Sequence, residues 1–215
     1  MEHQLQFGQI LLSTACFPPI SYIKSILCSH QVYIEQNENY IKQTYRNRYN
    51  IYAANGVLSL SVPVNFATNK KILIKDVRID YDTNWQKQHF KSIESAYRST
   101  PFYEFLIDDF ISFFNEKHTF LLDFNYSVLS VILKILEINN YTVSSSDFEK
   151  IPVNKLDLRN EIHPKKENLF STSFIEYPQV FADKYGFKKD LSCLDLLFNM
   201  GSEAYSYLID KYHNV

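Results

Sequence analysis

Glycine is scarce in this chain. Four in 215 residues (Gly8, Gly56, Gly186 and Gly201) leave no phosphate-loop or dinucleotide fingerprint and no GxSxG elbow. Seven prolines are equally too few for a linker-rich or low-complexity protein. The three cysteines, Cys16, Cys28 and Cys193, are odd in number, widely spaced and without a CxxC pair. A thiol-ligated zinc site and a disulfide framework are therefore set aside. The six histidines show neither HxH nor HExxH spacing, so neither metal nor cofactor is expected. No run approaches the roughly 20 apolar residues that cross a bilayer. A net charge of −2 supplies no global field for nucleic acid or an acidic membrane.

Leu12-Ser13-Thr14-Ala15-Cys16 loosely matches a lipoprotein cleavage box. A signal needs a basic start and a sustained apolar stretch, and Glu2, His3, Gln4, Gln6 and Gln9 interrupt it, so a cytoplasmic location is expected.

What the chain has in abundance is aromatic surface, sixteen tyrosines and seventeen phenylalanines, within a hydrophobic fraction of 46%. That is ample for a core. The length fits one domain over 1–215, or one domain with a small C-terminal lobe over 141–215.

Hydrophobic periodicity predicts an α/β fold. Ile10 to Ala15 reads as a buried strand, Phe17-Pro18-Pro19 stops it, and Ile20 to Ser29 is helical with Ile20, Ile23, Ile26 and Leu27 on one side. Val32 to Glu35 is a second strand, which completes a βαβ unit with a right-handed parallel crossover. Asn50–Ala54 and Leu58–Val64 flank Asn55-Gly56, the strongest short hairpin signal. Ile72 to Ile79 reads as a further strand. Helices follow: Trp85 to Arg98 capped by Asp82 or Thr83, a second opened by Pro101 and running to Phe114, and Ser127 to Leu136. Tyr141-Thr142-Val143 and Leu156-Asp157-Leu158 are short strand candidates. Asp190 or Ser192 starts a helix that ends at Gly201, and a last helix spans Glu203 to Tyr212. The expected architecture is a mixed, partly parallel sheet from the N-terminal half, flanked by helices and closed by the C-terminal helices.

Chemistry concentrates in Glu38-Asn39-Tyr40-Ile41-Lys42-Gln43-Thr44-Tyr45-Arg46-Asn47-Arg48-Tyr49. Arginine forks grip carboxylates and phosphates bidentately, and tyrosines form flat amphipathic walls. The segment is either a pocket for an anionic or sugar-linked ligand or a solvated stretch that ties down a loop. On a helix Lys42 and Arg46 would share a face and hold a phosphate; Glu35 and Glu38 are their structural counter-ions in the other reading. Arg46 and Arg48 point different ways in either conformation, so one binds and the other anchors.

A series of distinct strings falls in order along nearly the whole chain: Leu11 to Tyr22, Glu38-Asn39-Tyr40 with Tyr45-Arg46-Asn47-Arg48, Ser61-Val62-Pro63-Val64 and Trp85-Gln86-Lys87-Gln88-His89. Ser95-Ala96-Tyr97-Arg98 with Pro101-Phe102, Tyr177-Pro178-Gln179-Val180-Phe181, and Leu194 to Asn199 complete the series. In these strings the chain resembles the WbqC-like family, in particular its Bacteroidetes branch. It departs from many relatives in having no glycine over 141–176. The resemblance implies surface-polysaccharide (O-antigen-like) biosynthesis and a transferase moving a glycyl, aminoacyl or related acyl group. The implied partners are a sugar or sugar-nucleotide and an activated acyl or aminoacyl donor.

His89, one turn after Trp85, is the acid-base candidate, against a structural role at a buried carbonyl. Lys42, Arg46 or Arg48, His89 and at least one of Tyr177, Gln179 and Asp183 are expected to border one cleft, at the strand ends where α/β sheets bind ligands. Asp195, among leucines, must be paired; Cys16 is a nucleophile or, more simply, a small buried thiol. Three functional classes remain open: the transferase, a non-catalytic binder of glycan precursors or a biosynthetic partner, and a nucleic-acid binder, which the net charge opposes.

Overall fold

The computed structural model describes residues 7–65, 71–139, 142–170 and 174–209. Tyr141, His3, His213 and the end of the last expected helix lie outside them.

Strand β1 (Phe7–Ser13) carries a continuous apolar run, Ile10-Leu11-Leu12, buried on both sides as a central parallel strand requires. Proline at 18 and 19 ends it. Helix α1 (Ile20–Leu27) then buries Ile20, Ile23 and Ile26, spaced three apart. The chain returns as β2 (Ser29–Glu35), parallel to β1 in a register that sets Ile10 beside Val32 and Ser13 beside Glu35.

The Asn55-Gly56 turn joins β3 (Arg48–Ala53) to β4 (Gly56–Ser61) in an antiparallel ladder of their own, with Gly56 at φ 104°, a conformation that its missing Cβ permits. Two-residue strands β5 (Val64–Asn65) and β6 (Arg78–Ile79) form a second small ladder. The strand expected over Ile72–Ile79 is thereby corrected. Ile74–Asp76 is a 3-10 turn with Ile74 and Val77 buried three apart, Leu73 makes an isolated antiparallel bridge to Asn39, and within the segment a strand forms at Arg78–Ile79. Hydrogen bonds from Tyr40 N to Ile72 O and from Ile74 N to Glu38 O stitch this segment to the loop after β2 instead of to a sheet.

Helix α2 (Trp85–Tyr97) begins after Asn84, with no side-chain cap from Asp82 or Thr83. Helix α3 (Tyr103–Phe110) starts two residues past Pro101, and α4 (Ser112–Asn115) follows as a separate turn, so the single expected helix is broken. Helix α5 (Leu121–Ile135) begins six residues earlier than its apolar stripe suggested. Strands β7 (Thr142–Ser144) and β8 (Leu156–Asp157) complete a four-stranded parallel sheet in the order β7-β2-β1-β8. Helices α6 (Ala182–Tyr185), α7 (Cys193–Met200) and α8 (Glu203–Ile209) close the chain. Ser192 caps α7, its Oγ accepting from Leu194 N at 3.3 Å, and Gly201 ends it at φ 53°.

Between the parallel sheet, the hairpin and α2–α7 lies an aromatic core. Its hub is Phe17, fully buried, stacked on Phe114 at 5.8 Å and tilted against Tyr49 at 4.7 Å. Phe17 holds φ at 39°, unusual for a residue with a side chain, in the turn that redirects the chain from β1 into α1. Among the described residues no helix is long and apolar enough to cross a membrane.

Candidate functional site

A narrow crevice opens at the carboxyl ends of β1 and β8, where parallel α/β sheets bind ligands. Ser13 lines it from the end of β1, Thr14 and Ala15 from the turn after it, Tyr22 from α1, Tyr45 and Arg46 from the loop before β3, and Leu158, Arg159 and Ile162 from the strap after β8. It holds about 10 Å³ of free space, roughly enough for one water.

Two guanidinium groups form its polar wall. Arg46, 2% exposed, donates from Nε to Glu38 Oε1 at 2.9 Å and from Nη2 to Glu38 Oε2 at 2.6 Å. The same Nη2 donates to Ser13 Oγ at 2.6 Å, and Ser13 Oγ donates onward to the Arg159 carbonyl at 2.9 Å. Arg159 forks onto Asp157, Nε to Oδ1 at 2.9 Å and Nη2 to Oδ2 at 2.7 Å, while its Nη1 reaches Glu35 Oε2 at 3.3 Å. Those bonds to Asp157, with the charges around them, raise the Arg159 pKa above its ordinary value. Glu35 also accepts from Ser145 Oγ at 2.6 Å and Asn37 N at 2.8 Å. Every charge here has an opposite partner, as burial demands.

Lys42 does not join Arg46. Residues 38–47 form turns and bends, not a helix, so Arg46 turns inward to Glu38 while Lys42 stays exposed beside Gln43, whose φ is 59°. Arg48 opens β3, half-buried, with Nε donating to Ser61 Oγ at 3.2 Å.

His89 lies elsewhere, 4% exposed on α2, with Tyr49 Oη 3.0 Å from its Nδ1 and Trp85 edge-on at 5.0 Å. Burial lowers its pKa to about 4, against an opposing backbone hydrogen bond at Ser61, so the ring is neutral at physiological pH.

Tyr177 and Gln179 meet at Asp195 in a third cluster. Asp195, 1% exposed, accepts from Tyr97 Oη at 2.9 Å, Tyr177 Oη at 2.5 Å and Gln179 Nε2 at 2.9 Å. Among the described residues its side chain pairs with these two phenols and one amide and with no cation or histidine. Burial raises its pKa to about 6, opposed by these three donors. Asp183 is exposed in the first turn of α6.

Strand β3 connects these clusters: Arg46 precedes it, Tyr49 meets His89, and Tyr52 N donates to Tyr97 Oη at 3.0 Å. The expectation of one shared cleft becomes three polar clusters hung on one strand, of which the crevice takes Arg46 alone among the expected site residues. Cys16 is fully buried, and desolvation pushes its thiol well up, the state of an inert packing residue. Sequence reading missed Thr14 and Arg159. The signal was present in Asp157-Leu158-Arg159, opposite charges two apart at the end of a short strand.

The model of the WbqC-like protein family matches residues 14–168, from the turn after β1 through the strap. An uncharacterised protein of Mycobacterium tuberculosis is 26% identical over 211 residues, spanning 87% of this chain and 91% of that relative. No solved structure matches. With most of its length matched, from Thr14 to Asn168, the chain belongs to the WbqC-like protein family.

Proposed function

We propose that this is a transferase of surface-polysaccharide biosynthesis, working in the bacterial cytoplasm, that attaches an aminoacyl or related acyl group to a sugar or sugar-nucleotide. The motif strings further favour the Bacteroidetes branch of the family. The observation that carries the reading is the crevice itself: two hydroxyl side chains, two tyrosines and two guanidinium groups converge at the carboxyl ends of β1 and β8. Such a set suits a polyhydroxy ligand. In this reading Arg46 lies at the sugar, and Lys42 and Arg48, its neighbours along the chain, serve the charged outer part of a sugar-nucleotide. Tyr177 and Gln179 hold α7 through Asp195, Asp183 lies outermost, and His89 positions β3 through Tyr49.

Such a reaction needs no nucleophile from the protein. The acceptor amine or hydroxyl attacks the acyl carbon, a C–N or C–O bond forms, the bond to the donor's leaving group breaks, and the acceptor's proton passes to solvent. Holding the two reactants in line supplies the rate. A non-catalytic binder is the second reading, favoured by the lining: it contains no histidine, cysteine or carboxylate to act as base.

A thermal-shift panel of sugars, sugar-nucleotides, activated acyl donors and oligonucleotides separates the classes. A specific ligand at about 100 times its Kd stabilises by roughly 2.7 kcal/mol. Mass spectrometry of a donor–acceptor mixture with the protein then decides between transferase and binder. An acylated sugar supports transfer; stabilisation by sugar with no product over hours leaves binding alone. Stabilisation by oligonucleotides only would sink both.

A further inference from the structure

We infer that the crevice takes the neutral hydroxyl face of a pyranose ring, admitted by lifting the strap Leu158–Ile162, and that it excludes phosphate. The inference rests on the crevice being the binding site of the proposed function and names what enters it.

Two unpaired polar atoms belong to its lining. Thr14 is 3% exposed, and its hydroxyl takes part in no hydrogen bond among the described residues. Arg46 uses Nε and Nη2, leaving Nη1 without a partner among them. Neither atom is sealed in packing, since the fully enclosed unpaired side-chain atoms of the described residues are Trp85 Nε1 and Asn125 Oδ1. Both atoms therefore face free space, and the free space their residues share is the crevice. One is a donor and acceptor, the other a donor only, which is the pair that a vicinal diol satisfies.

Charge decides against an anion. Around the crevice Arg46 and Arg159 stand against Glu35, Glu38 and Asp157, two cations and three carboxylates. A phosphate entering there would meet a surplus negative charge and would have to evict a buried carboxylate from its arginine. A sugar hydroxyl meets the same groups without adding charge. Lys165 and Lys166, which are outside that network, are exposed beyond the end of the strap. They suit phosphates outside the crevice.

Size decides for movement. About 10 Å³ admits no sugar ring. The removable wall is the strap, which has no regular secondary structure, exposes Asn160 and Glu161, and turns back through hydrogen bonds from Glu161 N and Ile162 N to Leu158 O. The β1 side is fixed by the parallel ladder.

Isothermal titration of the full chain with methyl glycosides of glucose, galactose and N-acetylglucosamine, alone and with inorganic pyrophosphate, tests this. At least one glycoside binds, pyrophosphate does not displace it, and amide exchange at Glu161 and Ile162 quickens in the bound state. Thr14→Val, which keeps the shape and loses the hydroxyl, weakens the glycoside about tenfold with an unchanged melting temperature. Equal binding by Thr14→Val, displacement by pyrophosphate, or no glycoside binding overturns the inference. Acyl transfer that persists in Thr14→Val would overturn the crevice and leave the transferase standing. Glycoside binding that meets every expectation without acyl transfer does the reverse.

Discussion

The phenol of Tyr49 lies 3.0 Å from Nδ1 of His89, ring edge to ring face, with both residues buried. A histidine so enclosed works as a neutral packing and hydrogen-bonding group. His89→Gln is expected to lower stability by about 1–3 kcal/mol, a melting shift of several degrees, with binding or transfer per folded molecule within about twofold. A general base in the same place would instead cost about 10²–10⁴-fold in turnover at unchanged stability. Thermal denaturation beside an activity measurement distinguishes them. The pH dependence has a definite sign. With the folded pKa near 4 and the unfolded value near 6.5, His89's contribution is full above about pH 6.5 and declines as pH falls through 4. Urea titrations from pH 4 to 7 should show that decline in the parent and not in His89→Gln.

Tyr177→Phe removes one donor from the buried carboxylate of Asp195 and leaves Gln179 without its phenol partner. Above about pH 6 the carboxylate is charged, and the loss should reach about 1–3 kcal/mol. At pH 5 Asp195 is largely protonated in the folded protein, so the cost should shrink. Asp195's own contribution runs opposite to His89's: the raised pKa favours the folded state most below about pH 4 and loses that advantage as pH rises through 6. Equal costs at pH 5 and pH 7.5 would contradict this assignment.

Arg46→Met strands Glu38 without its fork and should destabilise by about 3–5 kcal/mol, near 10 °C in melting temperature. Adding Glu38→Leu should recover much of that loss, because two well-packed apolar groups dispense with the desolvation of both ions. A double variant no more stable than the single one would mean that the pair's main role lies with Ser13 and the strap.

Gly201→Ala should destabilise by about 1–3 kcal/mol. The backbone there has φ 53°, and an added Cβ would fall 2.3 Å from Cδ1 of Phe102. Gly56→Ala meets open space and carries only the backbone strain, so it should be milder. Comparing the two melting temperatures separates crowding from backbone conformation.

The first third of the fold was legible because its signals are local. Ile10-Leu11-Leu12, the proline stop and isoleucines three apart specify strand, turn and helix within short windows, and Asn55-Gly56 announces its hairpin. Ile72–Ile79 misled because β-branched residues also suit a 3-10 turn when two of them, here Ile74 and Val77, must reach the same core. The Arg46–Glu38 pair was visible as a counter-ion option, being eight residues apart. The Asp157–Arg159 pair is as local, but its place beside Ser13 and Thr14 was not visible, since Ser13 meets the Arg159 carbonyl across 146 positions and no periodicity marks such a contact. The single cleft failed for a related reason: β3 spaces Arg46, Tyr49 and Tyr52 along its length, so their partners are held apart.

Ile10 pairs with Leu156, and the amide of Ser21 at the start of α1 is capped by the carboxylate of Asp190. During synthesis, then, β1 waits with one edge bare until nearly three quarters of the polypeptide has left the ribosome, and α1 waits longer for its cap. Distant pairings of this kind slow folding and expose strand edges to other chains in the interval. A nascent chain halted near residue 150 would carry the βαβ unit and the hairpin yet lack the strand that closes the sheet, which makes it a natural client for a ribosome-associated chaperone.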